Sequence, residues 1–165
     1  MLKKHFNIQD LLYIQKTIQP IDENKCVITA TKIMKEIYPQ NEFLIRIYNG
    51  PIYVNDIKFI INKISDTLDT HNVCWLHIYE NDPNSDCHHN LVLFKTYDST
   101  FKIDSYHNLY SPRLVEWETY KSDLETLLSY DPKYSGRIDF WNGLFSAKVR
   151  SYVQKELNVE IIIGN

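Results

Sequence analysis

Three side chains of the kinds that cleave amides and esters by covalent catalysis occur in one order along this chain: Cys26, then His89, then Asp104. A thiol attacks a carbonyl only as its thiolate. It therefore needs a base to take its proton, and that base needs a carboxylate or amide to fix its tautomer. Cys26 falls in the first turn of a predicted helix, where free backbone N–H groups and the helix dipole favour the thiolate. Lys25 adds positive charge beside it. His89 opens an apolar strand directly after the loop-like residues 81 to 88, a stretch that could border a cleft. Asp104 lies in the following strand, inside Phe101-Lys102-Ile103-Asp104, where a half-buried carboxylate requires a partner.

The order resembles that of the papain-like superfold, including its NlpC-type and transglutaminase-like branches. The pieces that carry the resemblance are NKCVITATKI around Cys26, HNLVLF at His89 and FKIDSY at Asp104. They cover the middle of the chain, and the flanking helices would be additions. The Cys-Gly-Ser-Cys-Trp type of signature is missing. The resemblance implies an α+β fold with an antiparallel sheet packed against helices and the nucleophile at a helix N-terminus. It implies acyl transfer on a peptide, isopeptide or other amide, with no cofactor. It also implies a polar oxyanion partner shortly before the nucleophile. Gln19 is of the right type but lies one position further from Cys26 than the papain pattern has it, and Asn24 is the other candidate.

Each of these residues has an ordinary reading as well. Cys26 shares a helical stripe with Ala30, Ile33 and Ile37, and free cysteine is among the most buried residue types. His89 can be a hydrogen-bonded histidine at a strand edge, and His88 replaces it if the register differs by one. Asp104 and Ser105 can cap a strand end onto the backbone of residues 106 to 108, and His107 is a further polar partner. Cys74, His77, Cys87, His88 and His89 are ligand types for zinc, although strand alternation sends Cys74 and His77 to opposite faces. As a nucleophile Cys74 is the weaker choice, because mid-strand it has no dipole to activate it.

The elements that must position these groups follow from periodicity. Residues 7 to 18 carry a helical stripe of Ile8, Leu11, Leu12, Ile14 and Ile18, closed by Pro20. A second helix is expected from about Asn24 to Tyr38, and a third from a cap at Asn55 to about Leu68, with Ile57, Ile60, Ile61 and Ile64 inward. Asn49-Gly50-Pro51 reads as a turn. Strands are expected at residues 73 to 79, 89 to 97, 100 to 106 and 159 to 163, and helices at about 112 to 128 and 139 to 157. Strands grouped between helices favour α+β with an antiparallel sheet.

Register decides whether His89 meets Asp104. A two-residue turn at Asp98-Ser99 sets Tyr97 opposite Thr100 and Leu93 opposite Asp104. His89 then shares a face with Asp104, and His88 takes the other face. Four strand residues still span ~13 Å, so contact requires a longer loop or a bulge within residues 95 to 100.

A chain of 165 residues fits one domain with a core that needs no staples. Net charge is -3 with no Lys/Arg-rich run, which speaks against a nucleic-acid binder. Three cysteines suit a reducing compartment, so the cytoplasm, including that of a host cell, is the expected location. No stretch is apolar enough for a signal peptide or a membrane span. Usage rich in Ile, Lys, Asn and Tyr accompanies AT-rich genomes, such as those of giant DNA viruses or some intracellular bacteria. With four glycines there is no phosphate-binding loop. Two functions stand side by side: a thiol hydrolase acting on a peptide or protein substrate, and a non-catalytic viral or effector module that binds a host partner. Nothing in the sequence specifies an oligomeric state.

Overall fold

The computed structural model describes residues 4–18, 26–40, 44–52, 57–80, 88–104, 113–116, 118, 122 and 157–164. They form α1 (Ile8–Thr17), α2 (Cys26–Ile37), β1 (Ile45–Ile52), α3 (Ile57–His71), β2 (Val73–Glu80), β3 (His88–Lys95), β4 (Thr100–Asp104), β5 (Arg113–Glu116) and β6 (Leu157–Ile163). The six strands make one sheet in the order β1-β6-β2-β3-β4-β5, and every neighbouring pair is antiparallel. The fold is α+β, as the grouping of strands and helices in the sequence predicts.

Asn7 starts α1 through a capping box. Its side chain accepts from Asp10 N at 3.0 Å, and its own N–H donates to Asp10 Oδ2 at 2.8 Å. The buried stripe of α1 is narrower than the periodicity suggests: Leu11, Ile14 and Ile18 are buried, while Ile8 and Leu12 are exposed. In α2 the expected line of Cys26, Ala30, Ile33 and Ile37 is buried throughout. Of the line expected in α3, Ile60, Ile61 and Ile64 are buried, and Leu68 extends it.

Helices cover both sides of the sheet. Residues of α1 and α2 form one core with Val73, Val92, Phe94 and Ile103. On the other side Cys74, Leu76, Ile78, Leu91, Leu93, Val159 and Ile161 alternate with them and are also buried. Helix α3 packs on β2 and β3, and its Phe59 meets Tyr48 of β1 on that second side, with ring centroids 5.8 Å apart. Covered on both faces, β3 carries the continuous apolar run Leu91-Val92-Leu93-Phe94 rather than an alternating pattern.

Several expectations are corrected. Asn49-Gly50-Pro51 is not a turn but part of β1, paired with Glu160, Val159 and Asn158. Strand β1 lies at a sheet edge, the place where a strand tolerates proline. Residues 113 to 116, expected to begin a helix, are β5 and pair with β4. Tertiary pairing overrides local propensity there. Leu157 begins a strand rather than ending a helix. The remainder of the helices expected at 112 to 128 and 139 to 157 lies outside the described residues, apart from 118 and 122, both helical.

The β3–β4 connection also differs from the two-residue turn. Lys95, not Tyr97, pairs with Thr100, so residues 96 to 99 form a four-residue loop. Thr96 and Ser99 close it: Thr96 N and Oγ1 donate to Ser99 O at 2.7 and 2.8 Å, and Ser99 N donates to Thr96 Oγ1 at 3.1 Å. Thr96 also bridges to Phe6 of the N-terminal segment, and the Phe6 ring meets Phe94 edge-on. Among the described residues, no helix is long and apolar enough to cross a membrane.

Candidate functional site

Cys26 is the first residue of α2 and is 7% exposed. Its thiol lies against β3, where Asn90 Nδ2 donates to Cys26 Sγ at 3.7 Å. The other end of that amide is fixed from β2, since Trp75 Nε1 donates to Asn90 Oδ1 at 2.8 Å. An indole N–H can only donate. The Asn90 carbonyl must therefore face Trp75, and its NH2 group must face the sulfur.

Directly across from Asn90 on β2 stands His77. Side chains so paired have Cβ atoms ~5 Å apart, so the imidazole begins one strand spacing from the amide that touches the thiol. His77 Nδ1 is 3.2 Å from Glu160 Oε1, and Glu160 is the partner of His77 on β6. The imidazole stacks on Tyr79 with centroids 4.7 Å apart. Glu160 also forms an ion pair with Arg46 of β1.

A bulge between Arg46 and Tyr48 makes that ion pair possible. Arg46 and Asn49 are three positions apart and would take opposite faces of a regular strand. The extra residue gives both the parity of Glu160. Asn49 Oδ1 then accepts from Tyr79 Oη at 2.9 Å. The result is a polar strip across β1, β6, β2 and β3, on the sheet side that carries α1 and α2, with Cys26 at its end. Within it the Glu160 side chain is 11% exposed and His77 24%. The strip offers a thiol at a helix N-terminus, a side-chain donor on its sulfur, and an imidazole anchored by a carboxylate.

The residues chosen from sequence fall differently. Continuing the β3–β4 register sets Leu91 opposite Asp104. His89 is then a diagonal neighbour of Asp104, at ~7 Å rather than ~13 Å. The four-residue loop supplies the shift that this pair requires. Asn90, Val92 and Ile103 belong to the side of α1 and α2, and His89 and Asp104 occupy the intervening register positions. His88 has the parity of Asn90. The backbone register thus sets His89 and Asp104 at neighbouring positions of β3 and β4. Gln19, expected to polarise the substrate carbonyl, lies outside the described residues, as do Asn24, Lys25, Cys87 and His107.

Cys74 follows the opposite parity to Trp75 and is fully buried, which pushes its thiol up to about 12. That thiol is neutral under ordinary conditions and does not attack carbonyls. Alternation also parts Cys74 from His77, and among the described residues no three His, Cys, Asp or Glu side chains gather to hold a metal ion.

His77 and Glu160 are the functional candidates that sequence reasoning missed. His77 drew attention only as a metal ligand. Glu160 sits within the apolar run Val159-Glu160-Ile161-Ile162-Ile163, and a carboxylate inside a buried strand is itself a signal that a partner exists. Comparison with protein-family models, curated proteins and solved structures finds no match for this chain.

Proposed function

We propose that the chain is a thiol hydrolase or acyltransferase in which Cys26 is the nucleophile and His77, oriented by Glu160, is the general base and acid. The observation that carries this reading is the polar strip ending at Cys26, with Asn90 on its sulfur and the His77–Glu160 pair one strand beyond. In this reading His77 takes the part expected of His89, and Glu160 that of Asp104, because the strip they belong to lies on the sheet side that holds Cys26.

The steps follow from the groups present. His77 Nε2 takes the Cys26 proton while Glu160 holds Nδ1 and so fixes the tautomer. The thiolate adds to an amide or ester carbonyl, and the imidazolium returns the proton to the leaving amine or alcohol. Water, or an amine in the transferase case, then attacks the thioester with His77 again as base, regenerating the thiol. No redox partner enters. The substrate is a peptide, isopeptide or other amide, reached from the side of α1 and α2.

A second reading, a non-catalytic interaction module, is favoured by a specific observation. Cys26 continues the core stripe of Ala30, Ile33 and Ile37, and the Asn90 amide donates to its sulfur from the core side of β3. One experiment separates the two. Iodoacetamide labelling of the native protein is followed by mass spectrometry across pH 5 to 10, for wild type, His77→Ala and His89→Ala. The catalytic reading expects Cys26 to react with an apparent pKa below the ~8.5 of a free thiol, His77→Ala to remove that shift, and His89→Ala to leave it in place. Labelling of Cys26 only after denaturation would sink the catalytic reading and favour the interaction module. Loss of reactivity in His89→Ala alone would return the base to His89.

A further inference from the structure

We infer that Trp75 is a positioning residue for the Cys26 site. By holding the Asn90 carbonyl, it commits the Asn90 NH2 group to the thiolate and then to the oxyanion formed from the substrate. This inference rests on the catalytic reading of Cys26 and assigns to Asn90 the part expected of Gln19.

An asparagine amide can present either end to a neighbour, and the two ends differ little in size. Turned the wrong way, Asn90 would aim a carbonyl oxygen at Cys26 and oppose a negative sulfur. The Trp75 indole at 2.8 Å excludes that orientation, because it donates and cannot accept. Asn90 is 2% exposed, so water competes little for the amide. It comes from β3 and Trp75 from β2, on paired strands, with Trp75 opposite Val92 and His77 opposite Asn90. The amide is therefore held by the sheet and not by a loop.

Its distance also suits a transition-state role. Nδ2 stands 3.7 Å from Sγ, farther than an amide N–H stands from an oxygen acceptor. In a tetrahedral intermediate the oxyanion lies on the carbon bonded to sulfur, roughly 2.7 Å from the sulfur, so a donor set back from the sulfur has room to bond that oxygen. Trp75 acts only through Asn90. This separates it from a residue that merely fills the core, whose loss would be felt whatever occupied position 90.

The test is a double-mutant cycle on native Cys26 alkylation, read as rate against pH, with circular dichroism confirming the fold of each variant. Asn90→Asp is nearly isosteric and keeps the acceptor for Trp75 while removing the donor. It is expected to slow Cys26 at pH 7 by about tenfold or more and to raise its apparent pKa. Trp75→Phe keeps the aromatic packing and is expected to slow Cys26 several-fold, about as far as a freely turning amide allows. In the Asn90→Asp background the Trp75→Phe change is expected to add nothing. A Trp75→Phe effect that persists at full size in that background overturns the positioning role, as does an unchanged pH profile in Trp75→Phe while wild-type Cys26 is reactive. Failure of wild-type Cys26 to react natively overturns the catalytic reading itself, and with it this inference.

Discussion

Cys26 and Cys74 are both buried, yet their surroundings could hardly differ more. Cys26 has a helix N-terminus and an amide donor at its sulfur. Cys74 has apolar side chains of the sheet's second side around it, and its thiol is held neutral. Cys74 therefore serves as an internal control for any labelling of Cys26, since it should react only as the protein unfolds. It also has a consequence for stability. Burial raises its folded-state pKa to about 12, so stability is unaffected below the unfolded value of ~8.5 and is lost as pH rises from there towards 12. The loss should approach about 1.4 kcal/mol per pH unit. Tyr38, also raised by burial, deepens it above pH ~10. Cys74→Ala should flatten the dependence between pH 9 and 11, at the cost of a pH-independent loss from the smaller side chain. Urea midpoints measured at several pH values check both statements, and an unchanged alkaline slope in Cys74→Ala would exclude this thiol as the cause.

The element that leads from α3 into the sheet is the corner before β2. Asn72 occupies it with φ at 65°, a left-handed conformation that β-branched residues avoid. Its N–H donates to Leu68 O at 2.8 Å, its carbonyl accepts from Lys95 N at 2.7 Å, and its side chain donates to Lys4 O at 2.6 Å. Asn72→Val should cost about 1–3 kcal/mol, while Asn72→Gly, which keeps the backbone, should cost less. Thermal unfolding of the two variants distinguishes strain from the lost side-chain bond. The stripe of α2, the apolar run of β3 and the grouping of strands were legible in the sequence because each is a local pattern. The β3–β4 register was not, since Thr96 and Ser99 close a loop by side-chain bonds that residue types alone do not announce. Nor was β1, where pairing with β6 carries Asn49-Gly50-Pro51 into a strand. The site followed the same division. Cys26 at a helix start was readable, whereas the meeting of His77 with Glu160 depends on strands 83 residues apart in sequence.

At the scale of the molecule, the sheet order departs from the chain order at one place. Strand β6 inserts between β1 and β2. Gly164 follows it, where a Cβ would run into the Tyr38 ring at the end of α2. Gly164→Ala should cost about 1–3 kcal/mol through that overlap, measurable by denaturant midpoint, and Tyr38→Ala in the same chain should relieve part of it. The inserted strand also imposes an order on biosynthesis. Strands β2, β3 and β4 are joined by neighbouring segments and can pair as they leave the ribosome, but the long edges of β1 and β2 wait for β6. Until residues 157 to 163 emerge, the edges of β1 and β2 that β6 covers are open to pairing with other chains. The nascent chain also lacks Glu160. On the proposed reading the thiol chemistry is withheld from the translating ribosome, because the carboxylate that would orient His77 arrives with the strand that closes the sheet.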